Sequence, residues 1–228
     1  MKEAELRKKL APIMKRLFEI RAKRERPFLD TKILTAWNGL MIAGYARAGE
    51  VLKNQEYIKA AEKAADFVLT KLRNKKGRLL RTYSKVPGKK GEAKLNAYLD
   101  DYAQLTHGLL NLYEATKNKR WLKESIALTE IMVKHHLDEK RGGFFYTSDD
   151  HEKLFARPKL SFDGVRPSGN SAASRNLVRL WILTKEKKYH DLAVKTFQAT
   201  ALALERRPSA VSMMTSAVGL YLDHKGNK

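Results

Sequence analysis

Apolar positions along the chain recur at helical spacing, and the helices they predict come in pairs. Leu6, Leu10, Ile13, Met14, Leu17 and Phe18 fall at the spacing of one amphipathic helix, closed by the loop at Pro27. Residues 36–52 (AWNGLMIAGYARAGEVL) carry apolar or small side chains on nearly every face, which predicts a helix buried all round. Residues 56–72 differ: Tyr57, Ile58, Ala61, Ala64, Ala65, Val68 and Leu72 form a stripe, while Lys59, Glu62, Lys63 and Asp66 point elsewhere. A buried helix followed by a half-exposed one recurs at 99–116 with 120–137, and at 170–184 with 189–205. A last helix over 210–222 follows Pro208, giving about eight in all.

The repeat has an anchor. An aromatic opens each outer helix after a polar turn: Tyr57 after LKNQE, Trp121 after TKNKR and Tyr189 after TKEKK, 64 and 68 residues apart. After the first two outer helices a glycine turn leads into a short apolar run, Gly77-Arg78-Leu79-Leu80 and Gly142-Gly143-Phe144-Phe145-Tyr146, each a candidate short strand. Pairs of this kind stack into a solenoid or close into a ring of hairpins. The long segments 24–36, 77–98 and 142–169 all precede inner helices, which favours a ring with its functional residues on one rim.

Composition narrows the function classes. The 228 residues suit one domain over 1–228, and no stretch has the roughly 20 uncharged apolar residues of a membrane helix. Met1 opens onto a charged amphipathic segment rather than a signal peptide, so a cytoplasmic location without membrane attachment is expected. With no cysteine there is no disulfide, thiolate metal site or cysteine nucleophile. The net charge of +21 makes acidic partners plausible. Its densest run is Lys71, Arg73, Lys75, Lys76, Arg78, Arg81, Lys85, Lys89, Lys90 and Lys94. Only Tyr83 interleaves an aromatic, so a solvated loop is the plainer reading and nucleic-acid binding the weaker one.

The three pre-helix segments read DTKILTAWNGLM from Asp30, AYLDDYA from Ala97 and DGVRPSGNSA from Asp163. Together, and with YEATKNKRWL and GGFFYTSDDHEKLFARPK, they resemble the C-terminal helical region of the thioredoxin-domain proteins related to spermatogenesis-associated protein twenty. The resemblance implies an all-α fold, a partial α/α toroid similar to N-acylglucosamine 2-epimerase and the six-hairpin glycosidases. It also implies a longer protein, with an upstream thioredoxin-like domain and about six hairpins of which this chain holds roughly the last four. An isolated segment is then expected to seek an upstream fragment or a copy of itself.

Candidate site residues cluster in those segments. Asp100 and Asp101 open an inner helix, and paired acids can serve as general acid and base; equally, aspartate is a preferred helix cap. Asp163 with Ser168, Gly169 and Asn170 offers a carboxylate and a tight polar turn at another helix start, able to hold a sugar or an anion or simply to cap. Asp30, Trp37 and Asn38 form a third group, in which the indole is a stacking platform or plain core packing; Tyr98 and Tyr102 carry the same ambiguity. The epimerase relatives use histidines as acid and base, yet His107 falls inside an inner helix, His135, His136, His190 and His224 on outer or terminal helices, and His151 in a loop. None stands at metal-ligand spacing on an inner face, and His107 reads as a core residue.

Two hypotheses follow. One is a carbohydrate-active or sugar-binding toroid segment, with acid/base work by Asp100, Asp101 and Asp163 and no cofactor or metal. The other is a non-catalytic helical scaffold that binds an acidic partner or completes its ring with another polypeptide.

Overall fold

The computed structural model describes residues 3–85, 88, 90–152 and 155–226. By its contacts the chain divides into two units, Met1–Thr31 and Lys32–Lys228. The first contains α1 (Glu3–Ala22), whose Glu3–Arg7 and Glu5–Lys9 pairs lie one turn apart; its apolar stripe is exposed and none of its residues is buried.

The second unit holds the repeated pairs. They are α2 (Thr35–Val51) with α3 (Gln55–Lys71), α4 (Leu99–Thr116) with α5 (Lys119–His136), and α6 (Gly169–Thr184) with α7 (Lys187–Ala199), followed by α8 (Ala201–Arg206), a 3-10 turn at Pro208–Val211 and α9 (Ser212–Gly226). α2 packs on α4, α4 on α6 and α6 on α9, while α3, α5 and α7 back their partners, so inner and outer layers alternate along the chain. α4 is buried along most of its length, and Leu105, Leu109 and Leu112 on it join Leu128, Leu177, Leu180 and Tyr189 in one core. Each such side chain contributes about 1.5–3 kcal/mol by leaving water.

The closest crossing depends on glycine. A Cβ on Gly39 would lie 2.5 Å from the backbone of Gln104 and Leu105, and one on Gly108 would lie 2.6 Å from the Gly39 carbonyl. Only hydrogen at these positions lets α2 and α4 approach so closely. Of the repeat anchors, Trp121 and Tyr189 are sealed in the core, whereas Tyr57 is 38% exposed and meets Tyr45 edge to face.

The predicted helix over 189–205 divides at Thr200. The hydroxyls of Thr196 and Thr200 donate to the carbonyls of Leu192 and Thr196 one turn back, a bond that competes with the helical ladder and bends it. The all-α expectation also gains a small antiparallel sheet, ordered β1 (Ile33–Leu34), β2 (Leu80–Ser84), β3 (Glu92–Asn96). Thr82 pairs with Lys94 across the β2–β3 hairpin and Ile33 with Tyr83 across β1–β2. The other candidate strand, 142–146, makes a single bridge from Phe144 to Leu137.

The hairpin changes the meaning of the basic run. Arg73 pairs with Glu124 at 2.6 Å, Arg78 holds Asp150 with two bonds of 2.8 and 3.0 Å, and Arg81 lies 3.6 Å from Asp101. Arg81 thus ties β2 to α4, Arg73 ties the turn after α3 to α5, and Arg78 ties that turn to the loop after α5, so these three guanidiniums do not form a free patch. Lys89 lies outside the described residues. No described helix is long and apolar enough to cross a membrane.

Candidate functional site

Polar side chains tie together the first turns of the inner helices. Asp101, 1% exposed, accepts the Ala36 N–H at the start of α2 and the Tyr98 N–H at the start of its own helix, both at 2.9 Å. Burial pushes its carboxyl up to about 6, against the two N–H bonds and the Arg81 charge. Asp163 repeats the device one pair along: Oδ1 accepts the Ser168 N–H ahead of α6 and Oδ2 the Met213 N–H in α9, each at 2.8 Å. Each aspartate therefore serves two helix starts, whose first N–H groups have no partner within their own helix.

Asp100 is held differently. It is 3% exposed and its carboxylate is met by the Arg166 guanidinium. A Cβ on Gly169 would lie 2.6 Å from Asp100 Oδ1 and 2.7 Å from the Leu99 side chain, so glycine there makes room for the carboxylate. Arg166 also interacts with the Tyr146 hydroxyl, which Arg81 reaches too; burial and the nearby Asp100 charge push that phenol up. Tyr98 stacks on Tyr146 with ring centres 4.7 Å apart and carries the Arg81 guanidinium 4.7 Å above its ring. Beside this cluster opens a cavity of about 210 Å³, lined by Asp100, Phe162, Gly164, Arg166, Pro167 and Ser168.

The remaining candidates have other partners. Ser168 caps α6, its hydroxyl accepting the Ser171 N–H at 3.2 Å and donating to Ser161 O at 3.2 Å. The Asn170 amide pairs with both the N–H (2.8 Å) and the carbonyl (2.9 Å) of Phe144, stitching the preceding loop to α6. The fully buried Tyr102 hydroxyl accepts from Leu79 N and Arg78 Nε. Asn38 donates to Leu34 O. Trp37, 62% exposed, stands on an outward face of α2 with Met41 and Tyr45. Asp30 belongs to the first unit, whereas the rim residues belong to the second.

Sequence reasoning missed Arg81, Arg166 and Tyr146. Arg166 had a signal, lying inside the DGVRPSG segment three residues from Asp163; Arg81 was hidden in a run read as solvated charge. Among the histidines, burial pushes His136 down to about 4, and its Nδ1 bonds Phe145 O at 3.0 Å. His135, Asp149 and Asp150 lie close enough to share an ion, but Asp150 already spends both oxygens on Arg78 and His135 bonds Asp149 at 2.7 Å.

No family model matches the chain. It is 35% identical over 210 residues to human spermatogenesis-associated protein 20, an alignment covering 90% of this chain and 27% of that protein. The chain is a homologue of spermatogenesis-associated protein 20. An uncharacterised Caenorhabditis elegans protein is 32% identical over 219 residues, covering 94% of this chain and 30% of its own length. The chain thus spans under a third of the curated relatives it matches. Among solved structures, an unsaturated glucuronyl hydrolase specific for heparin superposes with a TM-score of 0.68 at 14% identity, over 89% of this chain and 62% of that one. The α-mannanase of glycoside hydrolase family 76 from Bacteroides thetaiotaomicron gives 0.60 at 18% identity, over 78% and 45%. A Salegentibacter α-1,6-mannanase gives 0.55 at 15% identity, over 83% and 52%; it was solved with mannotriose as an inactive variant, two consecutive aspartates being replaced. The fold is that of the α/α toroids, of which this chain covers about half.

Proposed function

We propose that the chain is a sugar-binding, carbohydrate-active toroid segment whose ligand meets the rim at Asp100 and Arg166. The observation that carries this is the contrast between neighbouring acids. Asp101 and Asp163 serve helix N–H groups, whereas Asp100 lines a cavity beside Arg166 and within reach of two stacked tyrosines. A carboxylate–guanidinium pair offers acceptors and donors to sugar hydroxyls, and aromatic faces suit sugar rings. The neighbouring toroids act on sugars, and in one of them a pair of consecutive aspartates was replaced in the inactive form. In this reading Asp100 does the acid/base or anchoring work, while Asp101 and Asp163 hold the helix starts around it.

Calorimetric titration of the chain and of D100N with neutral and acidic oligosaccharides, including α-1,6-mannotriose, tests the reading. Binding that D100N weakens tenfold or more, with helicity unchanged, supports it. Silence from every sugar, or equal affinity in the variant, removes it.

The α2 face favours a second reading. Trp37, Met41, Tyr45 and Leu52 expose an apolar strip on an inner helix, and the chain covers only about half of the toroids it resembles. In this reading the strip packs against helix pairs from the rest of a longer polypeptide. Light scattering of the chain mixed with the product encoded upstream decides: a stable complex supports it, and a monomer that binds nothing overturns it.

A further inference from the structure

The inner helices and α9 line a second cavity, of about 610 Å³ and open to solvent, whose side chains are not those that make the rim contacts. Its polar wall is Arg47 from α2, His107, Asn111 and Glu114 from α4, and Arg175 and Arg179 from α6. Arg179 is 6% exposed; its guanidinium meets Glu114 at 2.8 Å, and Nη1 stands 3.2 Å from His107 Nδ1. Arg47 is engaged by Glu50 at 2.6 Å and Asn111 donates to Ala43 O at 3.2 Å. Arg175 has no such partner: among the described residues its buried Nη1 meets no acceptor, while the buried Nη2 of Arg179 has its ion pair to Glu114 alone.

The charges do not balance. Of the three guanidiniums in this wall, Arg179 pairs with Glu114 and Arg47 with Glu50 beside it, which leaves Arg175 as the uncompensated cation. His107 adds no charge, because burial, then the charges of Arg179 and Arg175, push it down to about 3 and leave it neutral at ordinary pH. A buried cationic N–H without an acceptor is costly, and a concave wall of one sign concentrates counter-ions. The guanidinium fork matches the two oxygens of a carboxylate or phosphate, and the volume falls in the roughly 300–1,000 Å³ range of small-molecule sites.

We propose that this cavity binds a small molecule through an oxyanion group, carboxylate or phosphate, held by Arg175 and Arg179. The inference does not rest on the rim reading: the two share only Met213, whose backbone N–H is held by Asp163, and either stands without the other.

The test is calorimetric titration of the full chain with inorganic phosphate, with glucuronate and with glucose. Saturable binding of phosphate or glucuronate but not glucose is expected, and which anion binds assigns the group as phosphate or carboxylate. R175Q should weaken binding at least tenfold with helicity unchanged. R175K, which keeps the charge but loses the fork, should fall between the two. K75Q/K76Q, on the exposed turn after α3, should bind as the parent does. On the parent, NMR titration of His107 gives a second readout: a bound anion offsets the arginine charge and raises its pKa, while glucose leaves it unmoved. No saturable anion binding, equal affinity in R175Q, or an equal loss in K75Q/K76Q overturns the proposal, the last by revealing diffuse attraction to a basic protein.

Discussion

The rim and the second cavity are built by the same inner helices, yet they use charge in opposite ways. At the rim, Asp101 and Asp163 take backbone N–H groups from neighbouring helices, and Asp100 meets Arg166. In the second cavity, arginines outnumber carboxylates and the Arg175 Nη1 is left without an acceptor. The first arrangement is what the fold needs: helix starts brought together must have their N–H groups satisfied. The second gives the fold no evident return, and polarity that the fold does not use is where ligand chemistry is best sought.

The comparison breaks most sharply at Asp101. In D101N the amide NH2 must face either Ala36 N–H or Tyr98 N–H, donor against donor, and Arg81 loses its carboxylate partner. We expect a loss of about 3 kcal/mol in chemical denaturation. A loss under about 1 kcal/mol would mean that Asp101 does not hold the rim together.

Much of this was legible in the sequence, for a physical reason. Inner and outer helices differ in how many of their faces are apolar, so the paired pattern located α2 to α7 and the aromatic anchors Trp121 and Tyr189. The candidate aspartates were found because caps and ligand groups favour the same residues at the same places. Which of them caps was not legible, because Asp101 and Asp163 each serve a second helix: Ala36 is 65 residues from Asp101, and Met213 is 50 from Asp163. The Arg166–Asp100 and Arg179–Glu114 pairs were hidden for the same reason, since each joins different helix pairs. The β2–β3 hairpin was missed because its second strand, Glu92–Asn96, is polar and mostly exposed, with no alternating stripe to betray it.

Acid titration sharpens the contrast next. His107 and His136 are pushed down to about 3 and about 4 from 6.5, so below pH 6.5 the unfolded chain takes up two protons that the folded chain refuses. Each costs about 1.4 kcal/mol of stability per pH unit. Asp101, pushed up to about 6 from 3.8, works the other way: between those values the folded chain holds its proton more tightly, and stability rises on acidification. From pH 6 to about 4 the net loss is therefore one proton, about 1.4 kcal/mol per unit. In D101N the opposing contribution is gone and the slope should double. A parent stability flat from pH 6.5 to 4.5 would contradict the buried neutral histidines.

Asp163 should matter less than Asp101, because it is only half-buried although it makes the same two contacts. D163A should cost about 1–2 kcal/mol. A loss as large as that of D101N would show that the α6–α9 junction is as critical as the α2–α4 junction.

The smallest expected effect is the most discriminating. Trp37 is 62% exposed, so W37A should change stability by under about 0.5 kcal/mol. If the indole is a platform for a sugar ring, W37A weakens oligosaccharide binding while the melting curve stays in place. If it belongs to the apolar strip with Met41 and Tyr45, sugar binding is untouched and association with the upstream product falls instead. A variant that loses neither leaves Trp37 a plain exposed aromatic, and the sugar face of the rim then falls to Tyr98, Tyr146 and Phe162.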